Sequence, residues 1–169
     1  DDVLDVLQEN DYPEIDMEEM EQLAAIQSAY LPGSTVANIP LINIDGDEVL
    51  FDDVLKGPTV IFLWSIYNQT HPNYHMLLNE LRLKYPEINF IGINLDIEEV
   101  SKWKKAVTKY GYNPDKEFQL KKTNVNKKLF QYYLNKTVFL DSSGKIIVGD
   151  AFITSRNLEN QILEFLNQE

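Results

Sequence analysis

The stretch Thr59-Val60-Ile61-Phe62-Leu63-Trp64, set off by Gly57-Pro58, constrains this chain more than any other segment. An unbroken run of apolar and β-branched residues fits a strand covered on both faces, as in the middle of a sheet with helices packed against it. Ile88 to Leu95 repeats the pattern. Between them, Thr70 or His71 can cap a helix with Pro72 in its first turn. Tyr74, Leu77, Leu78, Leu81 and Tyr85 give that helix its apolar face, and Pro86 closes it. The spacing therefore predicts a strand–helix–strand unit at the centre of the fold.

The flanks extend the same alternation. Ile39 to Ile44 reads as a short strand, Asp45-Gly46-Asp47-Glu48 as a turn, and Val49-Leu50-Phe51 as the return strand. Val100, Trp103, Val107 and Tyr110 mark a helix stopped by Gly111. Glu117 to Leu120 reads as a short strand and Val125 to Tyr132 as a short helix. Thr137 to Leu140 and Lys145 to Val148 form a hairpin about the Asp141–Gly144 turn. A last amphipathic helix carries Leu158, Ile162, Phe165 and Leu166, with Thr154 or Ser155 as its start signal. This order predicts an α/β fold with a central mixed sheet flanked by helices. Ahead of it, Asp16 can cap a helix bearing Met17, Met20, Leu23, Ala24, Gln27 and Tyr30, which Pro32-Gly33 ends. The expected organisation is a helical extension over 1–32 and one domain over 33–169.

Composition narrows the chemistry. The chain is 44% apolar, enough to bury a core. It contains no cysteine, which excludes disulfides, thiolate metal sites, Fe–S clusters and any thiol nucleophile. Asp+Glu total 27 against 15 Lys+Arg, a net charge of −12. Such a surface argues against nucleic acid and anionic membrane as partners. No apolar run approaches the roughly 20 residues of a membrane helix, so no direct membrane insertion is expected. The chain begins at Asp1 without an initiator Met, as expected of a trimmed or processed form. A signal peptide or lipid anchor would lie outside it.

Several segments, in order, match one family. They are Gly33 to Leu41, Asp45-Gly46 followed by Phe51-Asp52-Asp53-Val54-Leu55-Lys56-Gly57-Pro58, Thr59 to Ser65, Ile91 to Asp96, and Phe139 to Ile146. Together they resemble the thioredoxin-like domains of the TlpA/ResA and alkyl-hydroperoxide-reductase/TSA type, bacterial thiol–disulfide proteins. The resemblance implies a thioredoxin-like fold. It also implies an extracytoplasmic location, periplasmic or membrane-tethered. The family places Cys-x-x-Cys four residues after the strand-ending Trp. Counted from Trp64, those positions hold Asn68, Gln69, Thr70 and His71. Its cis-proline falls at Lys136, just before Thr137. Without a thiolate, disulfide reductase, isomerase and peroxiredoxin activities are excluded. A non-proline cis bond costs about 3 kcal/mol, so a trans link is expected at Lys136.

Other patterns are weaker. His71 and His75, the only histidines, stand four apart and could chelate a metal, but no third ligand is near in sequence. The bland reading is a helix-start histidine plus a surface histidine, and no metal site is expected. Trp64, Tyr67 and Thr137 could line a groove beside the Asn68–His71 and Asn135–Thr137 loops. Both of these loops also match the short N-glycosylation motif. The reading that results is a redox-inactive thioredoxin-like protein that serves as a binding module for a protein partner or a second copy, without a cofactor. The alternatives are a non-redox enzyme re-using the loop through His71, and one domain of a larger exported protein.

Overall fold

The computed structural model describes Met17, Met20, Glu21 and residues 32–36, 38–121 and 134–167. Its elements run β1 (Pro40–Ile42), β2 (Glu48–Leu50), α1 (Phe51–Val54), β3 (Thr59–Trp64), α2 (His71–Lys84), β4 (Asn89–Asn94), α3 (Val100–Tyr110), a 3-10 turn (Pro114–Lys116), β5 (Glu117–Leu120), β6 (Lys136–Leu140), β7 (Ile146–Phe152) and α4 (Leu158–Asn167). The strands form one sheet in the order β2-β1-β5-β4-β3-β6-β7. β3, β4 and β5 are parallel, while β6 runs antiparallel to β3 and β7 antiparallel to β6.

β3 lies between β4 and β6, and all its residues are buried, as its unbroken apolar run requires. Its side chains alternate between two cores. Val60, Phe62 and Trp64 pack with Leu78 and Leu81 of α2, Trp103 and Val107 of α3, and Ile162 and Phe165 of α4. Ile61 and Leu63 pack with Leu41, Phe51, Ile91, Ile93, Val138 and Leu140 on the other side. Burying a large apolar side chain contributes about 1.5–3 kcal/mol, so this layering dominates stability.

Several boundaries differ from expectation for local reasons. Phe51 opens the short helix α1 instead of extending the return strand, with its side chain fully buried. The first turn is tightened by Asn43, whose Oδ1 accepts from the backbone N–H of Asp45 (3.0 Å) and Asp47 (2.9 Å). β7 runs past Val148 to Phe152, because register shifts near Phe139 let it follow β6 as far as Lys136. α3 ends on Gly111 at φ 68°, a left-handed cap that a residue with a Cβ rarely adopts. Met17, Met20 and Glu21 are helical, while the rest of the expected extension and the expected helix over Val125–Tyr132 lie outside the described residues. No cis peptide bond occurs among the described residues, so the link into Lys136 is trans.

Candidate functional site

β3 delivers the chain into the Ser65–Thr70 loop, and α2 leaves that loop at His71. The loop is pinned by Asp96, which follows β4. Its carboxylate accepts from Ser65 Oγ (2.6 Å), the Ile66 backbone N–H (2.8 Å) and Asn94 Nδ2 (2.8 Å). Asn68 Oδ1 accepts from the Thr70 backbone N–H (3.1 Å) and Thr70 Oγ1 (2.6 Å), so Asn68 acts as a turn-forming side chain. Gln69 and Thr70 are exposed.

Beneath the loop lies a buried polar network. Glu117 Oε2 accepts from Trp64 Nε1 at 3.0 Å, and Glu117 Oε1 meets His75 Nε2 at 3.0 Å. His75 Nδ1 lies 2.8 Å from the His71 carbonyl oxygen, which can only accept, so Nδ1 carries a proton. Tyr112 stacks flat on the His75 ring, 3.6 Å between centroids and 6° between planes. Its hydroxyl lies 2.5 Å from His71 Nδ1. Burial, then the neighbouring Glu117 and Tyr110, push the Tyr112 phenol well above its ordinary value. Burial and then His75 lower the His71 imidazole, against a smaller pull from Asp96. A protonated phenol beside a neutral imidazole fixes the direction: Tyr112 donates to Nδ1, and the His71 proton sits on Nε2.

His75 is therefore not the surface histidine of the sequence reading. It is 2% exposed, because four residues along α2 turn it onto the same inward face as His71. The groove expectation needs a similar correction. Trp64 and Thr137 are buried, Thr137 donating from Oγ1 to the Ala151 carbonyl at 2.8 Å, and only Tyr67 of the three reaches solvent. As a metal pair, His71 and His75 are poorly placed. Three of their four ring nitrogens already hold hydrogen-bond partners. No group of three or more metal-ligating side chains occurs among the described residues. Lys136 opens β6, with its ammonium 5.5 Å from the centre of the exposed Phe152 ring.

Sequence reasoning missed Glu117, Tyr112 and Gly92. β4 lies between β5 and β3, so Glu117 on β5 reaches Trp64 on β3 only by lying over Gly92. A Cβ at Gly92 would come within 2.7 Å of Glu117 Cδ, closer than real carbon atoms pack. The signal was available in Glu117-Phe118-Gln119-Leu120, an alternation that puts two polar side chains on a strand buried throughout.

No family profile and no curated protein matches this sequence. Solved structures do. A protein from Bacteroides vulgatus assigned as a thiol-disulfide oxidoreductase superposes with a TM-score of 0.66 at 17% identity, over 82% of this chain and 99% of that one. The thioredoxin domain of a Bacteroides vulgatus thiol-disulfide oxidoreductase gives 0.63 at 18% identity, over 81% and 99%. A Chlorobium tepidum protein assigned as the thiol:disulfide interchange protein DsbE gives 0.63 at 17%, over 80% and 98%. The fold is thioredoxin-like. In this thioredoxin-like chain the loop from Asn68 to His71 stands between the central strand and its helix, and it carries no thiol.

Proposed function

We propose that this chain is a redox-inactive thioredoxin-like binding module, acting outside the cytoplasm on a protein partner or a second copy of itself. The carrying observation is the buried network beneath the loop, in which Trp64, His71, His75, Tyr112 and Glu117 hydrogen-bond to one another without a thiol and leave only His71 Nε2 among the histidine nitrogens outside it. Such a set holds a surface in place and offers little to a reaction. Tyr112 occupies His71 Nδ1, so the remaining nitrogen, Nε2, bears a proton and is no base. Among the described residues no helix is long and apolar enough to cross a membrane. The extracytoplasmic location rests on the resemblance to exported thiol–disulfide proteins.

The surface above the network suits binding. Tyr67 is 63% exposed yet held in place, its hydroxyl donating to Glu99 Oε1 at 2.7 Å and accepting from Lys102 Nζ at 3.1 Å. Tyr110, also exposed, stands edge-on to the His71 ring at 4.8 Å. Aromatic side chains fixed before contact lose little entropy on docking and anchor many interfaces. Immobilised wild-type chain is expected to retain a specific protein from an extract of its source, or a second copy of itself, and Tyr67→Glu to release it. Equal retention by both would overturn the placement of the surface, and no retention by either would overturn the binding role.

A further inference from the structure

β3, β4 and β5 run parallel, so the segments leading into them gather at the end of the sheet away from the Ser65–Thr70 loop. Lys56 precedes β3, Arg82 lies in the last turn of α2 ahead of β4, and Lys116 closes the 3-10 turn ahead of β5. All three line a cavity of about 360 Å³, which Asn89, Asn113 and Glu87 also line. A smaller cavity of about 60 Å³ shares Lys56, Asn89 and Lys116 and is also lined by Asp53 and Asp115.

Two of the three cations are held by neutral acceptors. Lys116 Nζ donates to Asn89 Oδ1 at 2.7 Å, and the buried Asn89 amide is fixed in turn by its bond to the Val54 carbonyl at 3.0 Å. Arg82 donates to the Phe90 carbonyl (3.3 and 3.0 Å) and to Asn79 Oδ1 (2.8 Å), all neutral acceptors. Among the described residues none of the three forms an ion pair, although Glu87, Asp53 and Asp115 are near. Each keeps N–H donors that no atom of the described residues takes. In a chain with a net charge of −12, the lining of the larger cavity sets three cations against the single carboxylate of Glu87, a local excess of positive charge. Burial, then repulsion from Lys56 and Arg82, pushes the Lys116 ammonium below its ordinary value, with a smaller opposing pull from Asp115.

We propose that this cavity binds a small phosphate-bearing anion, held by the Lys56 and Lys116 ammonium groups and the Arg82 guanidinium. The donors come from three separate segments of the chain, the approach to β3, the end of α2 and the 3-10 turn. A tetrahedral phosphate accepts from all of them, whereas a planar carboxylate satisfies fewer. The cavity is in the size range of small-molecule sites, room for a phosphate and a small organic body. The acidic remainder of the surface gives a nucleic-acid backbone nothing to follow.

Isotope-labelled full chain titrated at low salt with inorganic pyrophosphate, and separately with succinate, tests this by amide NMR shifts. Saturable shifts are expected at Lys56, Asn89, Asn113 and Lys116, with pyrophosphate binding more tightly than succinate. Loss of one charge-assisted contact corresponds to about tenfold in affinity, expected for Lys56→Gln and again for Lys56→Gln/Lys116→Gln. Lys56 is exposed, so its variant keeps the fold, verified by unchanged signals from His75 and Glu117. Shifts without saturation, shifts spread over the surface, unaltered affinity in Lys56→Gln, or equal binding of succinate would each overturn the proposal.

Discussion

At the scale of single residues, the site is governed by one glycine and one glutamate. Glu117 is fully buried and bridges Trp64 to His75, so truncating it leaves both partners without an acceptor. Glu117→Ala is expected to cost about 3–5 kcal/mol, the usual range for breaking a buried charged pair. Gly92→Ala forces a Cβ into the Glu117 carboxylate and is expected to cost about 1–3 kcal/mol, as overpacking does. The two costs share one cause. In the Glu117→Ala background the Gly92→Ala penalty is expected to shrink to a few tenths of a kcal/mol, read from urea unfolding of the four chains in the cycle. Additive costs would mean that Glu117 does not lie over Gly92. None of this was legible from residue 92 or residue 117 alone, because the contact joins strands far apart in sequence. The polar alternation of β5 announced a need for partners without naming them.

At the scale of elements, α2 was readable in outline and misread in detail. Pro72 and the apolar spacing placed it, and Leu78 and Leu81 are buried as expected. Its two histidines were assigned by residue type, and histidine is at home on either side of a surface. What decides the matter is the i, i+4 spacing together with Trp64 and Tyr112, which supply an aromatic bed no local pattern reveals. The burial has a consequence in pH. His71 titrates below its ordinary 6.5 in the folded chain, so below that pH the unfolded chain takes up the proton first. The contribution of His71 to stability is whole above pH 6.5 and is lost as pH falls towards its folded value. Unfolding midpoints measured from about pH 7 to about pH 5 are expected to fall less steeply in His71→Gln than in wild type. Equal slopes, or a His71 titration above 6.5 by NMR, would contradict the buried neutral imidazole.

For the whole molecule, the βαβ centre and the mixed sheet follow from hydrophobic period, because a strand covered on both faces can hardly be written otherwise. The α/β class was therefore open to sequence reading, and the thioredoxin-like form was accessible through short motifs in order. The cavity ringed by Lys56, Arg82 and Lys116 was not, since it forms only when three strand starts come together. The chain thus has a thioredoxin-like fold in which the stretch from Asn68 to His71 carries no thiol and lies above a buried hydrogen-bond network. The most direct measurement is dithiothreitol-driven reduction of insulin disulfides in the presence of the purified chain. The rate is expected to equal the reagent blank at every protein concentration, since no thiolate is present to carry the exchange. A rate that rises in proportion to the chain would contradict the account at its centre.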